Sequence, residues 1–177
     1  MTVVDTLTQR NEQFSRTGFR PGLWMLPTLR SVLLGCVDPR VDPAHVLGVD
    51  TGELAVIRNV GGRATPDAIA EIALLARLTR TLLAEHAPVA DLIVMQHTDC
   101  GITRLQDPPE QLADYFHVDP AALPDKHVAD PRAAVDADVA ALRAVPEIAT
   151  AFRVSGIVYD VETGRVDLVT AQPAPTP

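Results

Sequence analysis

The sequence predicts an α/β fold, in which a single domain holds a mostly parallel central β-sheet flanked by helices. Short apolar runs that are typical of buried strands alternate along the chain with longer segments of helical periodicity, and this alternation is the pattern of parallel sheets. The chain has 177 residues, about the length of one average domain. Ligands of parallel sheets bind beyond the carboxyl ends of the strands, so the residues that follow each predicted strand are the first candidates for a site.

The N-terminal half is predicted to contain two strands and three helices. Each predicted strand is a short apolar run. Each predicted helix begins at a residue that caps helices well, and the second and third have proline in the first turn. The elements are a helix from Asp5, its expected N-cap, to about Phe14, a strand Ser31–Cys36, a helix Asp42–Leu47, a strand Leu54–Arg58 and a helix from Thr65 that ends before Pro88. Residues 1–28 together form a predicted N-terminal helical arm.

The C-terminal half continues the alternation and ends in a predicted antiparallel strand pair. The proline-rich stretch 106–130 is predicted to be a loop with one short helix. The elements are a strand Asp91–Gln96, a helix Glu110–Phe116, a helix opened by Asp130 and Pro131, a strand Val154–Tyr159, a turn Glu162–Gly164 and a returning strand Val166–Thr170. Residues 171–177 are predicted to be a frayed tail.

Composition argues against several classes of function. The net charge is −8, whereas proteins that bind nucleic acid need a basic face, so we expect no nucleic-acid partner. No apolar run approaches the length of a membrane span, and the first residues lack the apolar centre of a secretory signal, so we expect no membrane partner. Two cysteines are too few for a disulfide scaffold, and we predict a reducing, cytoplasmic location.

Both cysteines follow apolar strands, in polar surroundings that suggest a metal site. Cys36 begins the segment Cys-Val-Asp-Pro-Arg, and His97 lies three residues before Cys100. Two thiolates and one imidazole suit zinc, and three protein ligands leave a fourth position for water or a carboxylate. We therefore predict one Zn²⁺ per chain. Two inert buried thiols, or a disulfide between them, remain the alternative at this point.

The two motifs together resemble those of the β-class carbonic anhydrases. These are C-x-D-x-R at Cys36 and H-x-x-C-G at His97. The resemblance extends to residues 56–62, which are similar to the family's strand and glycine loop, and to Val154–Gly164, which is similar to its C-terminal strand and turn. The stretch 106–130 matches the family poorly.

This resemblance implies a function and a set of site residues. Cys36, His97 and Cys100 match the zinc ligands, while Asp38 and Arg40 match an Asp–Arg dyad that orients the nucleophile. The implied reaction is the reversible hydration of carbon dioxide to bicarbonate and a proton by zinc-bound hydroxide. In the family, the aspartate either accepts a hydrogen bond from the zinc-bound water, in the open and active state, or becomes the fourth ligand, in the closed state.

The resemblance also implies a homodimer or a higher homo-oligomer. In the family, N-terminal helices wrap the neighbouring subunit, and the predicted helix from Asp5 to Phe14 fits such an arm.

Other residues near the motifs are interpreted individually. Asp99 is expected to form a local turn or to orient a ligand. Pro39 departs from the serine that is usual in the family, and it is expected to hold Asp38 in an extended conformation. The pocket backbone is expected to include three glycines that permit close approach to the metal, Gly61, Gly62 and Gly101. Four histidines outside the motifs are expected to lie at the surface or in packing positions, His45, His86, His117 and His127.

Two other functions remain open from the sequence. Relatives with the same metal motif hydrolyse carbonyl sulfide or carbon disulfide, and the walls of the pocket, which differ from the shared metal motif, decide the substrate. A non-catalytic zinc or thiol-sensing module would have Asp38 as a permanent fourth ligand. Arg40 argues against that module, because a purely structural site has no need of a cationic partner for this carboxylate.

Overall fold

A computed structural model describes residues 1–83 and 90–171. It contains a five-stranded sheet in the order β2-β1-β3-β4-β5. The first four strands are parallel to their neighbours, and β5 runs antiparallel to β4. The mostly parallel sheet and the antiparallel C-terminal strand pair are therefore confirmed. The strands are β1 (Ser31–Cys36), β2 (Ala55–Asn59), β3 (Ala90–His97), β4 (Phe152–Tyr159) and β5 (Val166–Thr170).

The helices agree with the predicted order, with one addition. They are α1 (Val3–Thr17), α2 (Pro43–Val46), α3 (Pro66–Leu83), α4 (Glu110–Phe116), α5 (Pro131–Arg143) and α6 (Pro146–Ala151). Helix α6 was not predicted, because six residues are too few to establish a helical period. The proline-rich loop also contains a 3₁₀ turn over Pro120–Lys126. No helix in the described part of the chain is long and apolar enough to cross a membrane.

The predicted start of the first helix is wrong. Thr2 is the N-cap, and Asp5 lies three residues later, where its carboxylate accepts a hydrogen bond from the Thr2 backbone N–H at 2.7 Å. The Thr2 hydroxyl reciprocates by accepting from the Asp5 N–H, so the two residues form a capping box. The helix also continues beyond Phe14 to Thr17. Pro88, His86 and nearly all of the predicted tail, residues 172–177, lie outside the described residues.

The sheet is covered on both faces. One buried cluster joins the sheet to α3, α5 and α6, and a second joins it to α4 and the loops that follow β1 and β3. The second cluster includes both cysteines, Cys36 and Cys100. Helix α1, in contrast, has no buried residue.

The register of β1 and β3 brings the two halves of the candidate site together. The strands are parallel neighbours, with Gly35 opposite Met95. Cys36 is the last residue of β1 and His97 the last residue of β3. Because parallel neighbours end at the same edge of a sheet, both side chains belong to one carboxyl edge.

Candidate metal centre

Three potential ligands converge at this edge of the sheet. The ligating atoms of Cys36, His97 and Cys100 all lie within 4.8 Å of one another, and all three residues are buried. The two Sγ atoms are 3.7 Å apart. Both cysteines are free thiols, so the alternative of a disulfide between them is wrong.

The spacing and the donor atoms fit zinc. Two thiolates held about 2.3 Å from a tetrahedral zinc ion lie roughly 3.8 Å apart, close to the observed separation of the sulfurs. The Nδ1 atom of His97 lies 2.9 Å from the Thr98 carbonyl oxygen, which fixes the tautomer with hydrogen on Nδ1. The other ring nitrogen, Nε2, is buried and has no hydrogen-bond partner among the described residues. A lone pair aimed at a metal ion accounts for this unpaired buried atom.

The electrostatics of the two thiols also favour a bound cation. A hydrogen bond from Cys100 lowers the pKa of Cys36 to about 4. The hydrogen bond with Cys36 raises the pKa of Cys100, and burial adds to the rise. Burial lowers the pKa of His97, but the neighbouring Cys36 thiolate outweighs it and raises the pKa overall. Without a metal ion, therefore, Cys36 is the thiolate, and it accepts a hydrogen bond from the protonated Cys100 thiol. A divalent cation supplies the positive charge that allows both to ionise.

Asp38 lies beside this group and is bound by Arg40. The guanidinium donates to the carboxylate through Nη2 at 2.7 Å and through Nε at 3.1 and 3.2 Å, and the Arg40 backbone N–H donates to Oδ1 at 2.9 Å. These bonds lower the pKa of Asp38 to about 2. The carboxylate is thus ionised and oriented at neutral pH. It is not a member of the three-ligand group.

Pro39 suits the conformation of Asp38. The Asp38 backbone is extended, with φ −53° and ψ 125°, and caps a 3₁₀ turn that begins at Pro39. Proline favours an extended preceding residue, and its missing N–H is not needed at the start of such a turn. The departure from serine thus leaves the contact between Asp38 and Arg40 intact.

Asp99 makes a contact that the sequence did not reveal. Its carboxylate and its own carbonyl oxygen each accept a hydrogen bond from Arg40 at 2.9 Å. Its backbone is left-handed, with φ 52°, a conformation that aspartate tolerates better than most residues. Asp99 therefore does more than form a turn, because it binds the same guanidinium that holds Asp38.

Arg58 is a second residue that sequence reasoning missed. It donates through Nε to the Cys36 carbonyl oxygen at 2.8 Å and through Nη2 to the Asp38 carbonyl oxygen at 2.7 Å. Its third nitrogen, Nη1, donates to the Asp42 carboxylate at 2.7 Å. One side chain thus fixes the backbone of the segment that carries a ligand and the neighbouring acid. The sequence signal that could have identified Arg58 is its position within residues 56–62, the segment that is similar to the family's strand and glycine loop.

The glycine loop packs directly against the ligand-bearing strand. Gly61 and Gly62 have φ of 80° and 62°, which glycine adopts without strain. A Cβ atom at Gly62 would lie 2.6 Å from the Cys36 backbone nitrogen, and one at Gly61 would lie 2.5 Å from Ile102 Cδ1. Gly101 differs, since a Cβ there would meet nothing within 4 Å. Its role as pocket backbone stays a prediction.

We expect Gly62→Ala to destabilise the protein and to lower its zinc content. Gly48→Ala is the matched control, because Gly48 has nearly the same φ, 64°, but open space around the added Cβ. Both variants suffer backbone strain, and Gly62→Ala adds a clash with the Cys36 backbone. Chemical denaturation is expected to show Gly62→Ala less stable than Gly48→Ala by about 2 kcal/mol. Equal stability of the two variants would contradict the close packing of the loop.

The remaining predicted histidines lie at the surface. His45, His117 and His127 are exposed, in agreement with their interpretation. His117 and His127 each end a helical segment in the left-handed conformation.

Comparison with known proteins decides the family. The family model described as carbonic anhydrase matches residues 31–166. Beta-carbonic anhydrase 1 of Mycobacterium tuberculosis is 30% identical over 175 residues, which cover 96% of this chain and 99% of the relative. The chain belongs to the β-carbonic anhydrase family. It is accordingly a zinc enzyme with carbonic anhydrase activity, and Cys36, His97 and Cys100 are arranged as a possible metal site.

Two further similarities place this β-carbonic anhydrase within its family. The crystal structure of carbonic anhydrase from Streptococcus mutans has a TM-score of 0.73 at 29% identity and covers 96% of this chain and 99% of that one. A carbon disulfide hydrolase of Acidianus is 30% identical over 162 residues, covering 76% of this chain and 74% of the relative. The same fold is therefore shared by proteins named for two different substrates.

Proposed function

We propose that this β-carbonic anhydrase hydrates carbon dioxide reversibly to bicarbonate and a proton, with Asp38 and Arg40 orienting the nucleophile beside the metal. The observation that carries the proposal is the ion pair between Asp38 and Arg40 next to the three converging ligands. Zinc, held by Cys36, His97 and Cys100, supplies the Lewis acidity that makes water nucleophilic near neutral pH.

Asp38 acts as a fixed hydrogen-bond acceptor. Its carboxylate is ionised at neutral pH because Arg40 stabilises the negative charge. An ionised carboxylate beside the metal accepts a hydrogen bond from the attacking hydroxide and thereby aims an oxygen lone pair at the carbon of the substrate. Arg40 holds this acceptor in place, since its planar fork binds the carboxylate through two nitrogens.

Asp99 positions Arg40 from the other side. Arg40 bridges the segment after β1 and the turn between His97 and Cys100, because its guanidinium binds both Asp38 and Asp99. The guanidinium therefore links the two segments that supply the metal ligands. A guanidinium held by two carboxylates loses less entropy when it orients the acceptor.

We expect the effects of Asp99 and Arg40 on catalysis to depend on each other. Asp99→Asn alone should lower kcat/KM several-fold, and Arg40→Lys alone should lower it more, because lysine cannot form the fork. If Asp99 acts through Arg40, Asp99→Asn in the Arg40→Lys background should have little further effect. Stopped-flow rates of the four proteins, each at full zinc content, test this. Independent, additive losses would contradict the positioning role.

A second candidate substrate class is carbonyl sulfide or carbon disulfide. The observation that favours it is the similarity to the carbon disulfide hydrolase of Acidianus. A side-by-side measurement of the zinc-loaded enzyme with carbon dioxide, carbonyl sulfide and carbon disulfide decides between the two. We expect carbon dioxide to have the highest kcat/KM. Turnover of a sulfur compound that exceeds it would assign the enzyme to the other class.

A non-catalytic sensing module is the least supported alternative. That module needs Asp38 as a permanent metal ligand, whereas here Arg40 engages both carboxylate oxygens. Turnover of none of the three substrates would favour it.

We also propose that the enzyme works as a homodimer or higher homo-oligomer in the cytoplasm. Helix α1 supports the first part, because Val3, Leu7 and Phe14 lie on one side of it and are 75%, 56% and 47% exposed. An isolated helix of this length is marginal in water, so its apolar stripe needs a partner. A second copy of the chain is that partner. A reducing compartment suits two ligand thiols that would otherwise oxidise.

We expect Leu7→Glu to weaken the oligomer. A charge on the apolar stripe has to be desolvated when the helix packs on another subunit. Light scattering after gel filtration should show a shift toward the monomer. Gln9→Glu, which adds the same charge on another side of α1, is the control and should leave the mass unchanged. A Leu7→Glu protein with unchanged mass would contradict the proposed arm.

A further inference from the structure

The short segment from Cys36 to Asp38 is held at both its N–H and its carbonyl groups. The Val37 N–H donates to the Asn59 carbonyl oxygen at 3.0 Å, and the Asp38 N–H donates to the Cys36 Sγ atom at 3.4 Å. The carbonyl oxygens of Cys36 and Asp38 both accept from the guanidinium of Arg58. One arginine on the neighbouring strand therefore fixes the two residues that supply a metal ligand and the adjacent acid.

Arg58 is itself held by Asp42. Its Nη1 atom donates to Oδ2 of Asp42 at 2.7 Å. The other carboxylate oxygen, Oδ1, accepts from the Ala44 N–H at 3.0 Å and caps helix α2. The Arg58 side chain is only 23% exposed, and its other two acceptors are neutral carbonyl oxygens, so Asp42 is the group that balances its charge. The carboxylate thus fixes the guanidinium relative to the start of α2.

Two arginines therefore act on Asp38 in different ways. Arg40 binds the carboxylate and sets its orientation. Arg58 binds the backbone from which the carboxylate projects, and the same guanidinium binds the backbone of Cys36. Arg58 thus sets the position of the acid relative to the sulfur ligand. Such placement matters for catalysis, because a shift of about 1 Å in a reacting group can cost roughly 100-fold in rate.

We propose that Asp42 and Arg58 are positioning residues for the hydration reaction, because together they set where the Asp38 carboxylate lies relative to the Cys36 sulfur. The proposal rests on the role proposed above for Asp38, and it adds an acid outside the motif of Cys36. Neither Asp42 nor Arg58 belongs to the three-ligand group. Loss of the contact between them should therefore reduce turnover without loss of zinc.

Asp42→Asn separates the ion pair from the helix cap. Asparagine keeps an oxygen that can cap α2, but its NH₂ group cannot accept a hydrogen bond from Arg58. We expect full zinc content and a kcat/KM about tenfold below that of the unchanged enzyme. Asp119→Asn is the control, because Asp119 also precedes a proline and caps a helical turn, through the Ala121 N–H. It should keep full activity.

Stopped-flow rates in the Asp38→Ala background test whether Asp42 acts through Asp38. If it does, adding Asp42→Asn to Asp38→Ala should lower kcat/KM less than twofold further. A tenfold loss in both backgrounds would overturn the proposal. A fully active Asp42→Asn protein beside an impaired Asp38→Ala protein would overturn this proposal alone, whereas a fully active Asp38→Ala protein would overturn the proposed function as well.

Amide hydrogen exchange of the zinc-loaded protein provides a test that does not depend on activity. Without the ion pair, the segment after β1 should open more often, so the Asp38 amide should exchange about tenfold faster in Asp42→Asn. The Leu34 amide, within β1, should exchange at an unchanged rate and is the internal control. An unchanged rate at Asp38, or an equal increase at both amides, would contradict the local positioning role.

Discussion

Cys100→Ala is expected to abolish both zinc binding and carbon dioxide hydration. The substitution leaves Cys36 and His97 as the only ligands of the group. Binding of a structural zinc ion contributes about 10–16 kcal/mol in small zinc domains, and the thiolates supply much of it. With one sulfur removed, we expect less than about a tenth of the zinc to remain after dialysis, and turnover should fall to the uncatalysed rate. Elemental analysis and stopped-flow hydration measure the two effects.

The control for this substitution is Ile102→Val. Ile102 is buried in the same cluster, two residues from Cys100, but carries no ligand atom. Losing one methyl group there should cost about 1 kcal/mol of stability and leave the zinc content unchanged. If Ile102→Val lost zinc as fully as Cys100→Ala, the loss would reflect packing and not coordination. Full zinc content in Cys100→Ala would exclude Cys100 as a ligand.

The second large effect is expected for Asp38, where substitution should impair catalysis but not zinc binding. Asp38→Ala should retain zinc, because Asp38 is outside the three-ligand group. Its kcat/KM should nevertheless fall by about 100-fold or more, since the fixed acceptor for the attacking water is gone. Asp50→Asn is the control, because Asp50 forms an exposed ion pair with Arg20 and contacts neither Arg40 nor the three-ligand group. A fully active Asp38→Ala protein would refute the assigned role.

The pKa of Asp38 adds a prediction about pH to this account. Arg40 lowers that pKa to about 2, from a usual value near 3.8. Asp38 is therefore ionised throughout the neutral range, and its ionisation should not produce a step in the activity between pH 6 and 9. The stabilisation from its ion pair is complete above about pH 4 and is lost as the pH falls through 2.

Much of the site could be predicted because its signals are local. Cys36 and His97 end apolar strands, and strands that alternate with helices form parallel neighbours whose carboxyl ends meet. Pro39 indicated the extended conformation of Asp38, because a proline restricts the backbone of the residue directly before it. The family resemblance supplied the roles, which spacing alone left open.

The contacts that sequence analysis missed all join residues distant along the chain. Asp99 binds Arg40 across the gap between two strands, and Arg63 meets Asp138 on a helix 75 positions away. A charged residue read in isolation suggests a solvated surface, because most arginines are exposed. Burial of Arg63 follows from the way α5 covers the sheet, and no local pattern encodes that. The start of α1 was misplaced for a smaller reason, since Thr2 and Asp5 are both good caps.

Zinc content and coordination in the purified enzyme test the central claim most directly. The account predicts one zinc ion per chain, with X-ray absorption at the zinc edge showing two sulfur atoms at about 2.3 Å and one imidazole nitrogen at about 2.0–2.1 Å. A protein grown with ample zinc that contains almost none, or a zinc shell without sulfur, would contradict it.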